Sequence, residues 1–247
     1  MDSDSNVDFF RQHLFEVLYY LKTYPTARHL KVLFQAGSGS HLLSSITKRT
    51  AFLATKLTPI MQAKWSERMQ VNPLAKLFGN GCVGIVDTFP VRVRRPKDSS
   101  WQSAMYNGKY GTHVVKFQII VDHFGVPMYV TGPHIGVDSD VSIWRTYGPV
   151  LNVGESMLAD KAYVGTSDTI VPYKEPINGS MTELERLFNK AHGWFRVTVE
   201  HSIAEVKSYS ICSSRFRGPL CTSQSFLRDA IVVVSVLSIM RHQTSQS

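Results

Sequence analysis

Cysteine is scarce in this chain of 247 residues, which contains only Cys82, Cys212 and Cys221. An odd number of cysteines without metal-ligand spacing argues against a disulfide framework or a zinc site and favours a reducing compartment. Long hydrophobic runs are also missing. The longest, residues 231–240, includes two serines and is shorter than a bilayer span, so it predicts a buried helix and no membrane partner. The acidic, polar start at residues 1–4 does not resemble a secretory signal peptide.

Several catalytic signatures are absent as well. The sequence contains no HExxH, no Walker A sequence and no GxSxG. His113, His134, His192 and His201 show no ligand spacing. These absences argue against a zinc hydrolase, a P-loop nucleotide hydrolase and a serine hydrolase of the α/β class.

Positive charge is what the chain has in excess. The formal net charge is +8 and the isoelectric point is near 9.4, which favours a polyanionic partner such as DNA. Residues 1–76 carry 10 Lys and Arg against 5 acids, and residues 181–247 carry 8 against 5, whereas residues 77–180 carry 9 of each. Basic flanks around a more acidic centre fit a nuclease that holds nucleic acid at its ends, although ordinary surface charge is an alternative.

The first 76 residues read as helices. Residues 7–22 have apolar positions at helical spacing, Thr26 suits the N-cap of a second helix, and a third helix is expected at residues 41–57 after a Gly-Ser turn. This pattern resembles a helix-turn-helix, whose last helix would offer Lys48 and Arg49 to DNA. A plain helical cap is the alternative.

A boundary is predicted at Asn72-Pro73 and Gly79-Asn80-Gly81, which separates a helical region 1–76 from a domain 77–247. In this domain the order is three antiparallel strands, a helix, a strand, a short strand and then helices. We therefore predict the α/β fold class, with an RNase H-like mixed sheet flanked by helices. The expected strands are 83–87 with 91–93, 112–122, 126–131, 156–160 and 169–171, and the expected helices are 139–147, 182–192, 194–209 and 223–242.

Three acidic residues stand where such a fold would bring them together. Asp87 and Asp160 each close an apolar strand, and Glu200 lies at the edge of the apolar stripe of a helix. Carboxylates from separate elements that meet in a folded core can bind a pair of Mg²⁺ or Mn²⁺ ions, which suits phosphodiester chemistry. Each acid also has a structural alternative: a turn cap for Asp87, charge compensation by Lys161 for Asp160, and a surface pair with Arg196 for Glu200.

Further charged residues border this predicted site. Asp138 and Asp140 open the helix at 139–147, so N-capping is their default role, with a metal role as the alternative. Arg92 and Arg94 alternate along one strand face, and Lys109 follows in a polar loop; they are candidates to grip phosphates. An exposed basic hairpin face is the alternative. Arg196 and Lys207 complete the set of predicted DNA-binding residues.

Ordered motifs then give a family resemblance. From about residue 84 to 242 the chain resembles the DDE superfamily endonuclease domain of PIF/Harbinger-type transposases. The matching segments are Gly84-Ile85-Val86-Asp87-Thr88, Tyr106-Asn107-Gly108-Lys109-Tyr110, Gly136-Val137-Asp138-Ser139-Asp140, Leu158-Ala159-Asp160-Lys161-Ala162-Tyr163 and Arg196-Val197-Thr198-Val199-Glu200, extended by Lys207 and Arg215-Phe216-Arg217.

The resemblance implies that Asp87, Asp160 and Glu200 form a metal-binding catalytic triad, with Asp140 as a fourth metal ligand. It also implies a divalent-metal-dependent nuclease and strand transferase that acts on DNA in the nucleus, with a separate Myb-like DNA-binding partner. Val137, Ala159 and Ala162 depart from the usual family residues and leave a decayed or host-adapted copy open.

We therefore expect a metal-dependent DNA endonuclease or transposase. One alternative is a domesticated protein that binds DNA or a protein without cutting. The other is an RNase H-like nuclease acting on RNA. The sequence leaves open the DNA sequence recognised, a homo-oligomer, and whether Asp138 or Asp140 joins the metal site.

Overall fold

The computed structural model describes residues 3–69, 72–79, 81–177 and 179–244. In chain order the elements are α1 (Ser3–Thr23), α2 (Ala27–Leu33), α3 (Gly39–Ser66), α4 (Pro73–Phe78), β1 (Cys82–Arg92), α5 (Ser99–Met105), β2 (Tyr106–Asn107), β3 (Thr112–Val121), β4 (Pro127–Ile135), α6 (Asp140–Tyr147), β5 (Ser156–Leu158), a 3₁₀ turn (Lys161–Tyr163), β6 (Thr169–Ile170), α7 (Glu183–Lys207), α8 (Ser210–Ser213) and α9 (Leu220–Thr244).

One mixed sheet organises the chain. Its main strands lie in the order β4-β3-β1-β5-β6, and the short β2 also pairs with β3. β3 is antiparallel to both of its neighbours β1 and β4, whereas β5 is parallel to β1 and β6 is parallel to β5. The predicted α/β class with a mixed sheet flanked by helices is confirmed.

Both faces of the sheet are covered, so its central strands are apolar almost throughout. All but the first two residues of β3 are buried. On one face Ile85, Phe89 and Phe117 join a core that includes residues of α7 and α9. On the other face Val86 and Ile120 pack with residues of α6 and the 3₁₀ turn. Burial on both sides removes the simple alternation of a half-exposed strand.

The N-terminal helices pack onto the rest of the chain. α3 contacts α9 and β4, and Leu21, Leu30 and Ile46 belong to the same hydrophobic cluster as the sheet residues Ile85 and Phe117. Tyr24 accepts a hydrogen bond at its hydroxyl from the Arg217 backbone N–H, at 2.8 Å. The division into regions 1–76 and 77–247 stays a prediction, and Asn80 of the predicted boundary lies outside the described residues.

Several element bounds differ from those predicted. β1 is one strand where two were expected, and the polar stretch after it contains α5 and β2. α3 continues to Ser66, past Pro59, and Asn72 caps α4 instead of marking only a turn. The predicted N-cap at Thr26 is confirmed, because its side chain accepts a hydrogen bond from the His29 N–H.

The apolar segment near the C-terminus is longer than predicted. Residues Ser223–Arg241 of α9 are long and apolar enough to cross a membrane by length and composition, contrary to the expectation of a run that is too short. However, Leu227, Ile231 and Val234 are fully buried in the core, as predicted for a buried helix. Cys82 and Cys212 are buried free thiols, and the side chain of Cys221 lies outside the described residues.

Candidate active site

Asp87 stands in the middle of the central strand. Its neighbours in the sheet are β3, where Ile119 is its partner, and β5, which pairs with the preceding part of β1. The side chain is 17% exposed and faces α7. Its Oδ1 accepts a hydrogen bond from the Thr88 backbone N–H at 2.7 Å, which fixes the orientation of the carboxylate.

Asp160 follows the neighbouring strand. β5 ends at Leu158, two residues before the predicted end, and Asp160 then caps the 3₁₀ turn, with Oδ1 accepting from the Ala162 N–H at 2.7 Å. Because β1 and β5 are parallel neighbours, the carboxyl end of β5 lies beside the middle of β1. Asp160 is therefore held near Asp87 by sheet pairing and by its own capping bond.

Glu200 reaches the same place from α7. This helix begins with a capping box between Thr182 and Glu185, and buries Phe195 and Val199 against the sheet. Glu200 follows Val199 at the edge of that buried face, and its side chain is 57% exposed. Of the three predicted acids it is the most open to solvent.

A single guanidinium connects the three acids. Arg196 places one terminal nitrogen, Nη2, 3.2 Å from Asp87 Oδ2 and 3.1 Å from Glu200 Oε1. The other terminal nitrogen, Nη1, lies 3.5 Å from Asp160 Oδ2. The predicted surface pair between Arg196 and Glu200 is therefore present, but the same arginine also binds both aspartates. The three carboxylates converge on one cationic group.

Asp140 is held beside β3 by a buried lysine. Lys116 on β3 donates to Asp140 Oδ1 at 3.1 Å and to the Asp138 carbonyl at 2.7 Å. The expectation that Asp138 or Asp140 caps α6 is wrong, because Ser139 is the N-cap and its hydroxyl accepts from the Ser142 N–H. Asp140 instead stands in the first turn of α6, where its charge suits the helix dipole.

A buried polar network lies behind the acids. The Tyr163 hydroxyl is 2.7 Å from Thr88 Oγ1 and accepts from Gln118 Nε2 at 3.0 Å. Gln118 Nε2 also donates to the Asp140 carbonyl at 3.4 Å. Because Thr88 adjoins Asp87 and Tyr163 ends the turn capped by Asp160, this network ties the elements of the acids together. Sequence reasoning missed Lys116 and Gln118, although polar residues inside the apolar strand β3 were a visible signal.

Burial controls the charge of Asp87. Removal from water raises the pKa of its carboxyl group to about 6, against the opposing effects of Arg196 and of the Thr88 hydrogen bond; the nearby Asp160 and Asp140 add to the rise. Burial likewise lowers the pKa of Lys207 below its ordinary value, while Asp87 opposes that shift. An anion in this position needs a cation beside it.

The donor set suits a hard divalent cation. Carboxylate oxygens are the preferred ligands of Mg²⁺ and Mn²⁺, and Asp87, Asp160 and Glu200 direct one oxygen each toward the same volume. In the part of the chain that the structure describes, no group of three or more acids, histidines or cysteines is close enough to hold a metal ion as it stands. The guanidinium of Arg196 lies between the acids instead.

The predicted DNA-binding residues divide into exposed side chains and side chains engaged within the fold. Lys48, Arg92, Arg94 and Lys109 are exposed to solvent, although Lys109 also lies over the Tyr110 ring at 5.6 Å. The others are engaged: Arg49 forms an ion pair with the buried Glu16, Lys207 lies over the Phe89 ring at 5.8 Å, and Arg196 holds the acids. DNA contact by any of them stays a prediction.

Family comparison matches the part of the chain that carries these acids. Residues 86–238, more than half of the chain, match the family described as DDE superfamily endonuclease. The chain belongs to this family. The matched residues of this DDE endonuclease chain run from the middle of β1 to the second half of α9, so they contain all four predicted acids.

Two curated relatives are similar to the DDE endonuclease chain. A "Probable transposase for insertion sequence element IS702" of Microchaete diplosiphon is 25% identical over 137 residues, which is 54% of this chain and 49% of that protein. A "Putative transposase for insertion sequence element IS112" of Streptomyces albus G is 29% identical over 138 residues, 55% of this chain and 52% of that protein. The chain thus spans about half the length of these relatives. No solved structure matches significantly.

Proposed function

We propose that this chain is a divalent-metal-dependent DNA endonuclease of the transposase type. The observation that carries the proposal is the convergence of Asp87, Asp160 and Glu200, from β1, the end of β5 and α7, on one cationic group. Membership of the DDE endonuclease family and similarity to proteins named as transposases support DNA as the substrate. The strand order β4-β3-β1-β5-β6 supports an RNase H-like fold.

In this proposal Asp87 and Asp160 hold a pair of Mg²⁺ or Mn²⁺ ions, Glu200 completes the site, and Asp140 stands nearby on Lys116. When bound, such ions activate the attacking oxygen and stabilise the departing one. The rigid positions of Asp87 and Asp160, each fixed by a backbone N–H, would orient the acids before the ions arrive. The more exposed Glu200 would then close over the site from α7.

The remaining parts of the proposal concern DNA handling. Exposed Arg92, the last residue of β1, and Arg94 just beyond it would contact phosphates, and α1–α3 would act as a helix-turn-helix-like DNA-binding region. By family resemblance we propose the PIF/Harbinger subtype, strand transfer by the freed 3′-hydroxyl, nuclear action and a Myb-like partner protein.

One observation favours the second candidate, a domesticated DNA- or protein-binding protein that does not cut. Arg196 pairs with all three acids without any metal, and such an internally paired cluster can persist as a structural ion-pair network. A domesticated DNA-binding protein also predicts salt-sensitive DNA binding, so cleavage is the measurement that separates it from the nuclease.

Cleavage of labelled duplex DNA with Mg²⁺ or Mn²⁺ tests the proposal. We expect the wild-type chain to nick DNA, and Asp87→Asn, Asp160→Asn and Glu200→Gln to reduce nicking to background while DNA affinity is retained. Glu183→Gln is the matched control, because Glu183 lies in the first turn of the same α7. Metal-independent nicking, or full activity of all three variants, would contradict the proposal; DNA binding without nicking would support the domesticated binder.

A further inference from the structure

Arg196 is the side chain that the proposed function leaves unexplained. It extends from α7 into the space between the three acids, and only 18% of its side chain is exposed. Its two terminal nitrogens share three carboxylates, while its Nε is buried and has no hydrogen-bond partner among the described residues. The guanidinium is therefore placed by the acids it neutralises rather than by a complete set of hydrogen bonds.

The same volume cannot hold both this guanidinium and a divalent cation. A bound Mg²⁺ ion needs carboxylate oxygens at about 2.0–2.1 Å from one point. The oxygens Asp87 Oδ2, Asp160 Oδ2 and Glu200 Oε1 instead surround the terminal nitrogens of Arg196 at 3.1–3.5 Å. Like charges also repel strongly in such a partly buried place, so a bound divalent ion and a seated Arg196 would destabilise each other.

Without a cation the acids would be costly to keep together. The side chain of Asp87 is only 17% exposed, and the carboxylates of Asp160 and Glu200 are directed toward the same volume. A single arginine in the centre offsets part of this cost and so helps to keep the arrangement of β1, β5 and α7 in the metal-free protein.

We propose that Arg196 is a displaceable counter-cation, which holds the three acids together without metal and competes with the divalent cation for their oxygens. This inference rests on the proposed function, because it takes the acids as the metal ligands. It gives Arg196 a positioning role, in contrast to the DNA contact predicted from the sequence. The affinity for metal then depends on how strongly the acids bind the ion and on how strongly they bind Arg196, which the ion must displace.

Titration calorimetry with Mn²⁺ alone tests the competition. We expect Arg196→Gln to bind Mn²⁺ at least about tenfold more tightly than wild type, a change of about 1.4 kcal/mol. Arg196→Lys, whose compact ammonium cannot bridge three carboxylates as a guanidinium does, should fall between the two. Arg186→Gln is the matched control, because it removes the same charge from an exposed position of α7, and its affinity should stay within about twofold of wild type.

Thermal unfolding gives a second reading that needs no catalytic activity. In EDTA, Arg196→Gln should melt below Arg186→Gln, because the acids lose their counter-cation. Saturating Mn²⁺ should then raise the melting temperature of Arg196→Gln by more than that of wild type, since a ligand that binds more tightly stabilises the native state more. If Arg196→Gln does not fold in EDTA, the melting temperatures of Arg196→Lys with and without Mn²⁺ are compared with those of wild type instead.

The outcomes separate the two proposals. Suppose that wild type binds Mn²⁺, that Asp87→Asn abolishes this binding, and that neither Arg196 variant binds Mn²⁺ more tightly than wild type. This result would overturn the counter-cation role and leave the metal-dependent function intact. Absence of Mn²⁺ binding by wild type and by both Arg196 variants would overturn the proposed metal site and the inference with it.

Discussion

At the scale of single residues, the candidate site depends on polar groups that are not acids. Asp87 and Asp160 were candidates from the sequence because each follows a short apolar run, although β1 continues past Asp87 and β5 ends two residues before Asp160. The Thr88–Tyr163–Gln118 network could not, since its members are distant in sequence and meet only through the pairing of β1 with β3 and β5. This network fixes the backbone beside each aspartate, so its first effect should be on stability.

Tyr163→Phe tests the network. The ring of Tyr163 is fully buried, so its shape is kept, but Thr88 and Gln118 lose the hydroxyl they share and keep only the 3.3 Å bond from Gln118 Nε2 to Thr88 Oγ1. We expect the free energy of unfolding to fall by about 0.5–1.5 kcal/mol, the usual net contribution of an intramolecular hydrogen bond. Urea unfolding in EDTA measures this change without interference from metal.

Tyr173→Phe is the matched control for this substitution. Tyr173 is 48% exposed, so water replaces the lost hydroxyl contact and the unfolding free energy should change by less than about 0.5 kcal/mol. Equal changes in the two variants would show that the buried network contributes little to stability.

At the scale of elements, α7 shows where sequence reasoning ends. The sequence predicts two helices separated at Gly193, since glycine is a common helix terminator. The structure instead has one continuous helix from Glu183 to Lys207. Packing of Phe195 and Val199 against the sheet outweighs the local preference of a single glycine. This continuity fixes where Arg196 and Glu200 stand relative to the capping box at Thr182.

Gly193→Ala follows from this continuity. Gly193 is exposed and helical, and a Cβ added there meets no atom within 4 Å. We expect the free energy of unfolding to rise by about 0.5–1 kcal/mol, because alanine loses less backbone entropy in a helix. Guanidinium chloride unfolding measures the change.

Gly136→Ala provides the opposite case after β4. A Cβ at this position would lie 2.4 Å from the Met105 carbonyl oxygen and 2.7 Å from the Val114 carbonyl oxygen, so this variant should be destabilised. A loss of stability in Gly193→Ala would instead indicate that the glycine provides a distortion that α7 needs.

At the scale of the whole molecule, the order of strands and helices could be predicted from apolar patterning and turn residues. The sheet order could only be supplied by resemblance, because long-range pairing leaves no local signal. The predicted ends of elements were wrong where packing extends an element beyond the residues that show its apolar pattern. β1 joins two predicted strands, and α3 continues past Pro59. The meeting of Asp87, Asp160 and Glu200 was predicted from the sequence, but Arg196 was predicted only to pair with Glu200 or to contact DNA, not to lie between all three acids.

The N-terminal helices also show what the sequence alone does not predict. Lys48 and Arg49 are adjacent in sequence, yet their side chains have different surroundings. Lys48 is exposed on α3, whereas Arg49 pairs across to Glu16 of α1, whose side chain is 5% exposed. Charge alone cannot distinguish a lysine that is free for phosphate from an arginine that joins two helices. The structure therefore predicts different effects for the two substitutions.

Lys48→Ala should weaken DNA binding and lower its salt dependence by about one counterion, with unfolding free energy nearly unchanged. Arg49→Ala should instead reduce the unfolding free energy by about 2 kcal/mol, because Glu16 is left buried and unpaired; this is below the usual range for buried pairs, since Arg49 is 30% exposed. Urea unfolding and DNA titrations at several salt concentrations measure both quantities for each variant. If Arg49→Ala keeps full stability, the ion pair between Arg49 and Glu16 does not hold α3 against α1. If Lys48→Ala leaves the salt dependence of DNA binding unchanged, Lys48 does not contact DNA. The expected division of effects would mean that one helix serves packing on one side and DNA on the other.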